Sequence, residues 1–226
     1  MGVLDNQRLN SITRNMMNLR NIPILATAMA AAILAAPTAQ AASVVVPNAS
    51  FEDADISSQV VAVPTGWSRD GANGGMADRV QSTLGDQHIW ANGSGAGGPT
   101  TFYITLTEAI TAGTTYTLTV DVFQTDGFTG SQASIWLFGS DAGFGTALAE
   151  TTGIAPPQNG TLFDQTVMFT ATAGQATGQT IGIALGATTG TQVRFDNVRL
   201  DAIPEPSSFA LLGLGGLALV LRHRRA

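Results

Sequence analysis

The reactive side chains of this sequence limit the chemistry open to it. Cysteine is absent, which excludes thiol catalysis and cysteine-based zinc sites. His88 is the single histidine between residues 42 and 203, and a lone histidine in "DQHIWANG" is more typical of a surface or hydrogen-bonded residue than of a general base. No G-x-S-x-G or H-E-x-x-H motif occurs. The sequence therefore predicts a protein that is not an enzyme, with a secreted glycoside hydrolase built on a carboxylate pair as the less favoured alternative.

Sugar binding needs aromatic faces and polar groups in a groove, and the candidates are Trp67, Trp90, Trp136, Tyr103 and Tyr116. Tyr116 belongs to an alternating apolar stripe, and Trp136 lies in "SIWLF", which is apolar on both faces. Both are therefore predicted to be core residues. We expect Trp90 and Tyr103 to be the exposed, ligand-binding platforms.

Charge separates the middle of the chain from its ends. Residues 42–203 hold fourteen Asp and Glu against four Arg, a formal charge of −10, and the chain has no Lys. A segment this acidic repels nucleic acid and anionic lipid, whereas it can attract divalent cations. We therefore expect no nucleic-acid partner.

The elements that must position these side chains are strands. In "TTYTLTVDVF" (114–123) apolar and polar residues alternate, and "TFYITLT" (101–107) and "QTIGIAL" (179–185) repeat the pattern. No helical stripe of useful length occurs between residues 43 and 202. Further candidate strands are 43–47, 59–63, 77–82, 86–91, 132–138, 161–170 and 191–200. Many short strands separated by turn residues predict an all-β fold, an antiparallel sandwich or barrel.

The last candidate strand contains a change of phase. In "TQVRFDNVRL" (191–200) the apolar residues before Asp196 share one parity, and those after Asn197 share the other. One face can bury both pairs only if an extra residue is inserted, which predicts a β-bulge at Asp196-Asn197. Because a bulge can re-aim an acidic side chain, Asp196 is a candidate metal ligand.

The N-terminus has the features of a secretory signal. Arginines precede the apolar run 22–36, and Ala39-Gln40-Ala41 is an A-x-A cleavage site. The first 41 residues are therefore predicted to be a signal peptide with a helical apolar region, and translation could start at Met16 or Met17. The alternative is a buried helix of a cytosolic domain.

The C-terminus carries a second apolar run, the thirteen uncharged residues 209–221. As a helix it spans roughly 20 Å, less than the hydrocarbon core of about 30 Å. Arg222, Arg224 and Arg225 follow it and would stay on the cytoplasmic side. We predict a short, marginal transmembrane helix that holds the protein at the inner membrane only transiently.

Pro204-Glu205-Pro206, the apolar run and the Arg cluster occur in the order and at the spacing of a known signal. Residues 203–226 resemble the PEP-CTERM sorting signal of Gram-negative bacteria. That resemblance implies recognition of the Pro-Glu-Pro box by an exosortase, a membrane-embedded transpeptidase-like cysteine enzyme. It also implies a link to exopolysaccharide and extracellular matrix. The alternative is a plain C-terminal anchor.

The translocated segment carries a second resemblance, in "VPNASFED" (46–53), "PTGW" (64–67), "AGTTYTLTVDV" (112–122) and "VRFDNVRL" (193–200). These motifs resemble the galactose-binding-like jelly rolls, which include carbohydrate-binding modules of families 4, 9 and 22. The resemblance implies a jelly-roll β-sandwich over residues 42–202.

The same resemblance implies a structural calcium ion. Carried over by position, Glu52 and Asp196 are its side-chain ligands, and backbone carbonyls complete the shell. Calcium prefers six to eight oxygen ligands, and this acidic segment offers them. The alternative is that the two carboxylates only hydrogen-bond the two ends of the domain together.

Together these features predict an exported, non-catalytic cell-surface or matrix protein. The general secretion machinery and signal peptidase would process its N-terminus, and an exosortase its C-terminus. Its β-sandwich is expected to bind exopolysaccharide. The alternative is a purely structural or adhesive protein, which would lack an exposed aromatic groove.

Overall fold

The structure, a computed structural model, describes residues 40–53, 55–78, 85–94, 98–125, 127–128, 130–158, 160–175 and 178–205. The predicted signal helix and transmembrane helix lie outside these residues. Within the described part of the chain, no helix has the length and apolar character needed to cross a membrane.

Strands are the regular elements of the described segments, as the alternating patterns predict. They are β1 (Ala42–Val44), β2 (Ser68–Asp70), β3 (Gly74–Asp78), β4 (Gln87–Ala91), β5 (Thr101–Ala109), β6 (Thr114–Phe123), β7 (Gln132–Gly139), β8 (Ala147–Ile154), β9 (Phe163–Thr170), β10 (Thr180–Thr189) and β11 (Val193–Pro204). All of them lie in one compact unit, Gln40–Glu205. This unit holds the whole described core and so has the parts of a domain that folds by itself.

Two antiparallel sheets form from these strands. The first sheet has the order β3-β4-β11-β6-β9, and β1 pairs with β11 beyond the end of β4. The second sheet has the order β2-β5-β10-β7-β8. The predicted all-β, antiparallel class is therefore confirmed, and the arrangement is that of a β-sandwich.

The core lies between the inner faces of the two sheets. Leu118 and Val120 of β6 and Ile181 and Ile183 of β10 have little or no exposure, and they belong to one hydrophobic cluster. Each such side chain stabilises the fold by about 1.5–3 kcal/mol relative to an exposed one. The period-two stripes seen in the sequence are thus the two inner faces.

The predicted bulge in β11 is present. The pairing of β11 with β6 shifts register between Asp196 and Arg199, and Asn197 has a φ of 50°. The N–H of Val198 donates to the carbonyl of Ala49 at 2.9 Å. Phe195 and Val198 are consequently both buried in the core. The bulge therefore gives the N-terminal segment a contact with β11 in addition to the pairing of β1.

Candidate functional site

An open groove of about 350 Å³ lies on the outer face of the second sheet. The strand register places residues that line it in two rows across the sheet. Thr101, Gly186 and Ser134 are opposite one another on β5, β10 and β7. In the next row, Trp136 is opposite Glu150 of β8. Because these positions alternate with core residues, their side chains point away from the core.

Aromatic rings form one wall of the groove. Tyr103 of β5 stacks on Phe144 with a centroid distance of 4.2 Å and an interplanar angle of 18°. The indole N–H of Trp136 donates to the carbonyl of Phe144 at 2.7 Å. These two contacts fix the turn that follows β7 against the sheet. Trp136 and Phe144 line the groove, whereas Tyr103 supports Phe144 from the same sheet.

The floor of the groove has an open position and a hydroxyl. A Cβ at Gly186 would lie 2.9 Å from Thr101 Oγ1 and 3.2 Å from the Trp136 ring, so glycine keeps the gap between them clear. Ser134 is 3% exposed, and its hydroxyl has no hydrogen-bond partner among the described residues. A buried polar group without a partner costs about 1–3 kcal/mol. A ligand hydroxyl would remove that cost.

The electrostatics of the groove are simple. Among its described lining residues, Glu150 is the one that carries a charge, and it is exposed. Carboxylate and hydroxyl oxygens can bind the hydroxyls of an uncharged ligand, but they cannot neutralise an anion.

The outer face of the first sheet is different, because it carries a cluster of polar side chains that are buried. Arg194 is fully buried, and its Nε and one terminal nitrogen donate to Gln192 Oε1 at 3.2 and 2.6 Å. Its other terminal nitrogen lies 2.8 Å from His88 Nε2, and its guanidinium lies 5.8 Å from the centre of the Phe128 ring. An arginine can only donate, so His88 Nε2 is the acceptor. His88 is thus a buried, hydrogen-bonded residue.

Comparison with known proteins identifies the family of this β-sandwich. Residues 42–201 match the HpiC1-like family, described as HpiC1 cyclase. The chain belongs to the HpiC1-like family. A comparison with curated protein sequences gives no match.

Solved structures of cyclases resemble this HpiC1-like domain. One is the Stig cyclase Fisc from Fischerella sp. TAU in complex with (3Z)-3-(1-methyl-2-pyrrolidinylidene)-3H-indole. It is 25% identical with a TM-score of 0.64, covering 74% of this chain and 100% of that one. An apo cyclase from Fischerella sp. is 26% identical with a TM-score of 0.61, covering 73% and 98%. A family 61 carbohydrate-binding module in complex with β-1,4-galactotriose is 10% identical with a TM-score of 0.48, covering 69% and 95%.

The tail is a separate match. Residues 202–225 match the PEP-CTERM protein-sorting motif, which confirms the first resemblance. The protein is therefore exported and sorted by an exosortase to the cell surface or beyond. Pro204 and Glu205 lie at the end of the described chain; Pro206 and the cluster Arg222, Arg224 and Arg225 lie outside it. Of the predicted cleavage residues, Ala41 directly precedes β1, and Ala39 is outside the described residues.

The predictions for the aromatic residues differ in outcome. Tyr103 is half-buried and contributes to the groove through Phe144, whereas the expected exposure of Trp90 is wrong. Trp90 is 6% exposed, and its indole N–H donates to the carbonyl of Met76 at 3.1 Å. The expectation that Trp136 is a core residue is also wrong, because it is half-buried and lines the groove. "SIWLF" is apolar on both faces because one face meets the core and the other meets the groove.

The two predicted calcium ligands have their own protein contacts. Glu52 Oε1 accepts the backbone N–H of Gln87 at 2.7 Å. Asp196 is fully buried beside the bulge, and its Oδ1 accepts the N–H of Asn197 at 2.7 Å. No group of three or more His, Asp and Glu side chains able to hold a metal occurs in the described part of the chain. A site here would need backbone carbonyls, as the resemblance implies, and calcium stays a prediction.

Proposed function

We propose that this protein is a non-catalytic cell-surface or matrix protein whose HpiC1-like domain binds exopolysaccharide in the groove of the second sheet. The observation that carries the proposal is the combination in one open groove of the Trp136 ring with the buried hydroxyl of Ser134, which has no hydrogen-bond partner among the described residues. Carbohydrate sites place sugar faces on aromatic rings and orient them with a few polar groups. A groove open at its surface accepts an internal segment of a chain.

The charge of the groove selects among polysaccharides. Glu150 adds negative charge, no described arginine lines the groove, and the segment 42–203 is strongly acidic. A uronate-rich or sulfated chain would meet repulsion without a compensating cation. We therefore expect a neutral polysaccharide.

Calorimetric titration of the Gln40–Glu205 unit tests the proposal. The ligands are neutral glucan, galactan and xylan oligosaccharides, and alginate serves as the acidic polysaccharide for comparison. Trp136→Ala should weaken binding by about 30-fold, the effect of losing a central aromatic anchor. Met168→Ala, on an exposed apolar residue of the first sheet, is the control and should leave binding unchanged. Absence of binding to every polysaccharide would reject the proposal.

Ser134→Ala gives a sharper test, because the hydroxyl that it removes has no partner within the described protein. It should weaken binding several-fold while leaving the melting temperature unchanged or slightly higher. Glu150→Gln should reduce discrimination against alginate, whereas Glu108→Gln, outside the groove, should not. Preferential binding of alginate by the native protein would overturn the neutral specificity alone.

Family membership favours a second candidate, binding of a small aromatic compound. The Stig cyclase that matches this chain was solved with an indole derivative, and a groove of about 350 Å³ accommodates a ligand of that size. Indole is the probe: NMR shifts confined to the groove residues, without polysaccharide binding, would favour this candidate. Conversion of such a compound by the native protein would overturn the non-catalytic assignment.

We also propose that Glu52 and Asp196 hold a structural calcium ion with backbone carbonyls, and that the tail is a transient membrane anchor. Support for the ion is that the bulge after Asp196 is hydrogen-bonded to the segment that carries Glu52, through the N–H of Val198 and the carbonyl of Ala49. Support for the anchor is the short apolar run inside the matched sorting motif. The intact mass of protein recovered from the cell surface tests the anchor and the signal peptide together. A mass that includes both predicted targeting segments would reject both.

A further inference from the structure

The folded domain reaches into the sorting signal. Strand β11 ends at Pro204, the first residue of the Pro-Glu-Pro box, and this proline is opposite Thr114 at the start of β6. The N–H of Glu205, the second residue of the box, donates to the carbonyl of Gly113 at 2.6 Å. Two of the three box residues are thus bound to the β-sandwich, with no intervening linker.

The end of β11 is held on both sides. Ala202 is opposite Tyr116 of β6 on one side and Ala42 of β1 on the other. Ala202 is also 7% exposed and belongs to the hydrophobic core cluster. The strand is therefore paired on both sides up to Ala202, so its end separates from the sheet less readily than a free edge strand would.

The backbone groups of the box are consequently not all available to a second protein. A protein that recognises an extended segment by β-strand addition hydrogen-bonds to its backbone N–H and C=O groups. The N–H of Glu205 already has an intramolecular acceptor. A folded sandwich and a processing enzyme compete for the same short segment.

We propose that the end of β11, residues 202–205, must separate from β6 before the exosortase can bind the Pro-Glu-Pro box, so that the folded domain limits the rate of its own processing. The accessible form is then a locally opened minor state of the folded protein. The inference depends on the sorting motif and not on the groove, so failure of polysaccharide binding leaves it untouched.

The test uses the full chain, expressed in an exosortase-containing Gram-negative host and followed by pulse-chase and intact mass. An eight-residue Gly-Ser segment inserted between Ile203 and Pro204 frees the box from the sandwich. Tail processing should then accelerate by roughly tenfold, because the accessible fraction rises from a minor population toward one. The same segment inserted between Pro157 and Gln158, in the exposed loop after β8, is the control and should change nothing.

Two results would overturn the proposal. An unchanged or slower rate for the Ile203–Pro204 insertion would show that the enzyme does not wait for strand opening. Hydrogen exchange of the full chain in membranes gives the second measurement. The Glu205 amide should be protected at least as well as other strand-end amides, and exchange at the rate of an unstructured amide would contradict the pairing itself.

Discussion

Gly182→Ala tests the packing of the second sheet at a single atom. Gly182 of β10 is opposite Phe138 of β7, and a Cβ at this position would lie 2.2–2.5 Å from three atoms of the Phe138 ring. Because that ring is 1% exposed, it has no open space into which it can move. Overpacking of this kind costs typically 1–3 kcal/mol. With about 2 kcal/mol taken as the central value, a domain of this size should melt about 4–8 °C lower.

Thermal unfolding of the Gln40–Glu205 unit, followed by circular dichroism, is the assay. Gly174→Ala is the matched control, because no described atom beyond its chain neighbours lies within 4 Å of the point that a Cβ would occupy, and its φ is not left-handed. It should leave the melting temperature unchanged or slightly higher. In a double-mutant cycle, Phe138→Leu should remove most of the penalty of Gly182→Ala. A melting temperature within about 1 °C of the native value for Gly182→Ala, or a penalty that persists without the ring, would refute the steric argument.

Three other changes test the bulge, an ion-pair network and the proposed calcium site. Asn197 has a left-handed φ of 50°, which a β-branched residue adopts only with strain. Asn197→Val should therefore lower the free energy of unfolding, measured in urea, by roughly 1–3 kcal/mol. A urea midpoint equal to that of the native protein would count against strain at this position. A hydrogen bond with Asp121, and then the hydrogen bond from Arg199, hold the pKa of Asp164 below its ordinary value. A carboxyl whose pKa is lower in the folded than in the unfolded protein stabilises the fold at pH values above its ordinary pKa. This stabilisation is lost as the pH falls through the lowered pKa of the folded protein. Arg199→Ala removes an exposed ion pair with Asp164 and also takes the arginine away from the buried carboxylate of Asp121. It should therefore cost about 1–3 kcal/mol at neutral pH and less below about pH 4; a larger cost in acid would contradict the assignment. Calcium should raise the melting temperature of the native protein, EGTA should reverse the rise, and Asp196→Asn should abolish it. Identical thermal unfolding curves in calcium and in EGTA would reject the calcium site.

The bulge and most of the strands could be predicted because each depends on a local pattern. Strands β2 and β8 match none of the candidate segments, and the candidate 59–63 forms only an isolated bridge between Val60 and Met76. The alternation in 114–123 has one apolar face, and burying that face fixes the register of β6. The change of phase around Asp196 can be repaired only by an extra residue, and the structure places the register shift there. Both conclusions needed only the period of two and the requirement that apolar residues face one core.

The groove could not be predicted because it depends on what covers each outer face. Parity places both Trp90 and Trp136 on faces that point away from the core, and parity alone does not separate them. Trp90 is buried because the outer face of its sheet is covered, and its indole hydrogen-bonds to the backbone of β3. Trp136 keeps an open side because its neighbours Ser134 and Gly186 are small. That difference comes from long-range packing, which no window of the sequence contains.

Strand β10 shows how register decides where a binding site can form. Gly182 and Gly186 lie on the same outer face, four residues apart, and each leaves a gap where a side chain would stand. The cross-strand partner of Gly182 is Phe138, whose ring lies over the glycine and closes the gap. The partner of Gly186 is Ser134, which is too short to cover it; Thr101 and the Trp136 ring border the glycine instead, and all four residues line the groove. The position of the site therefore depends on both the glycine and the size of its cross-strand partner, because the same residue type gives a packed surface at one position and part of an open groove at the other.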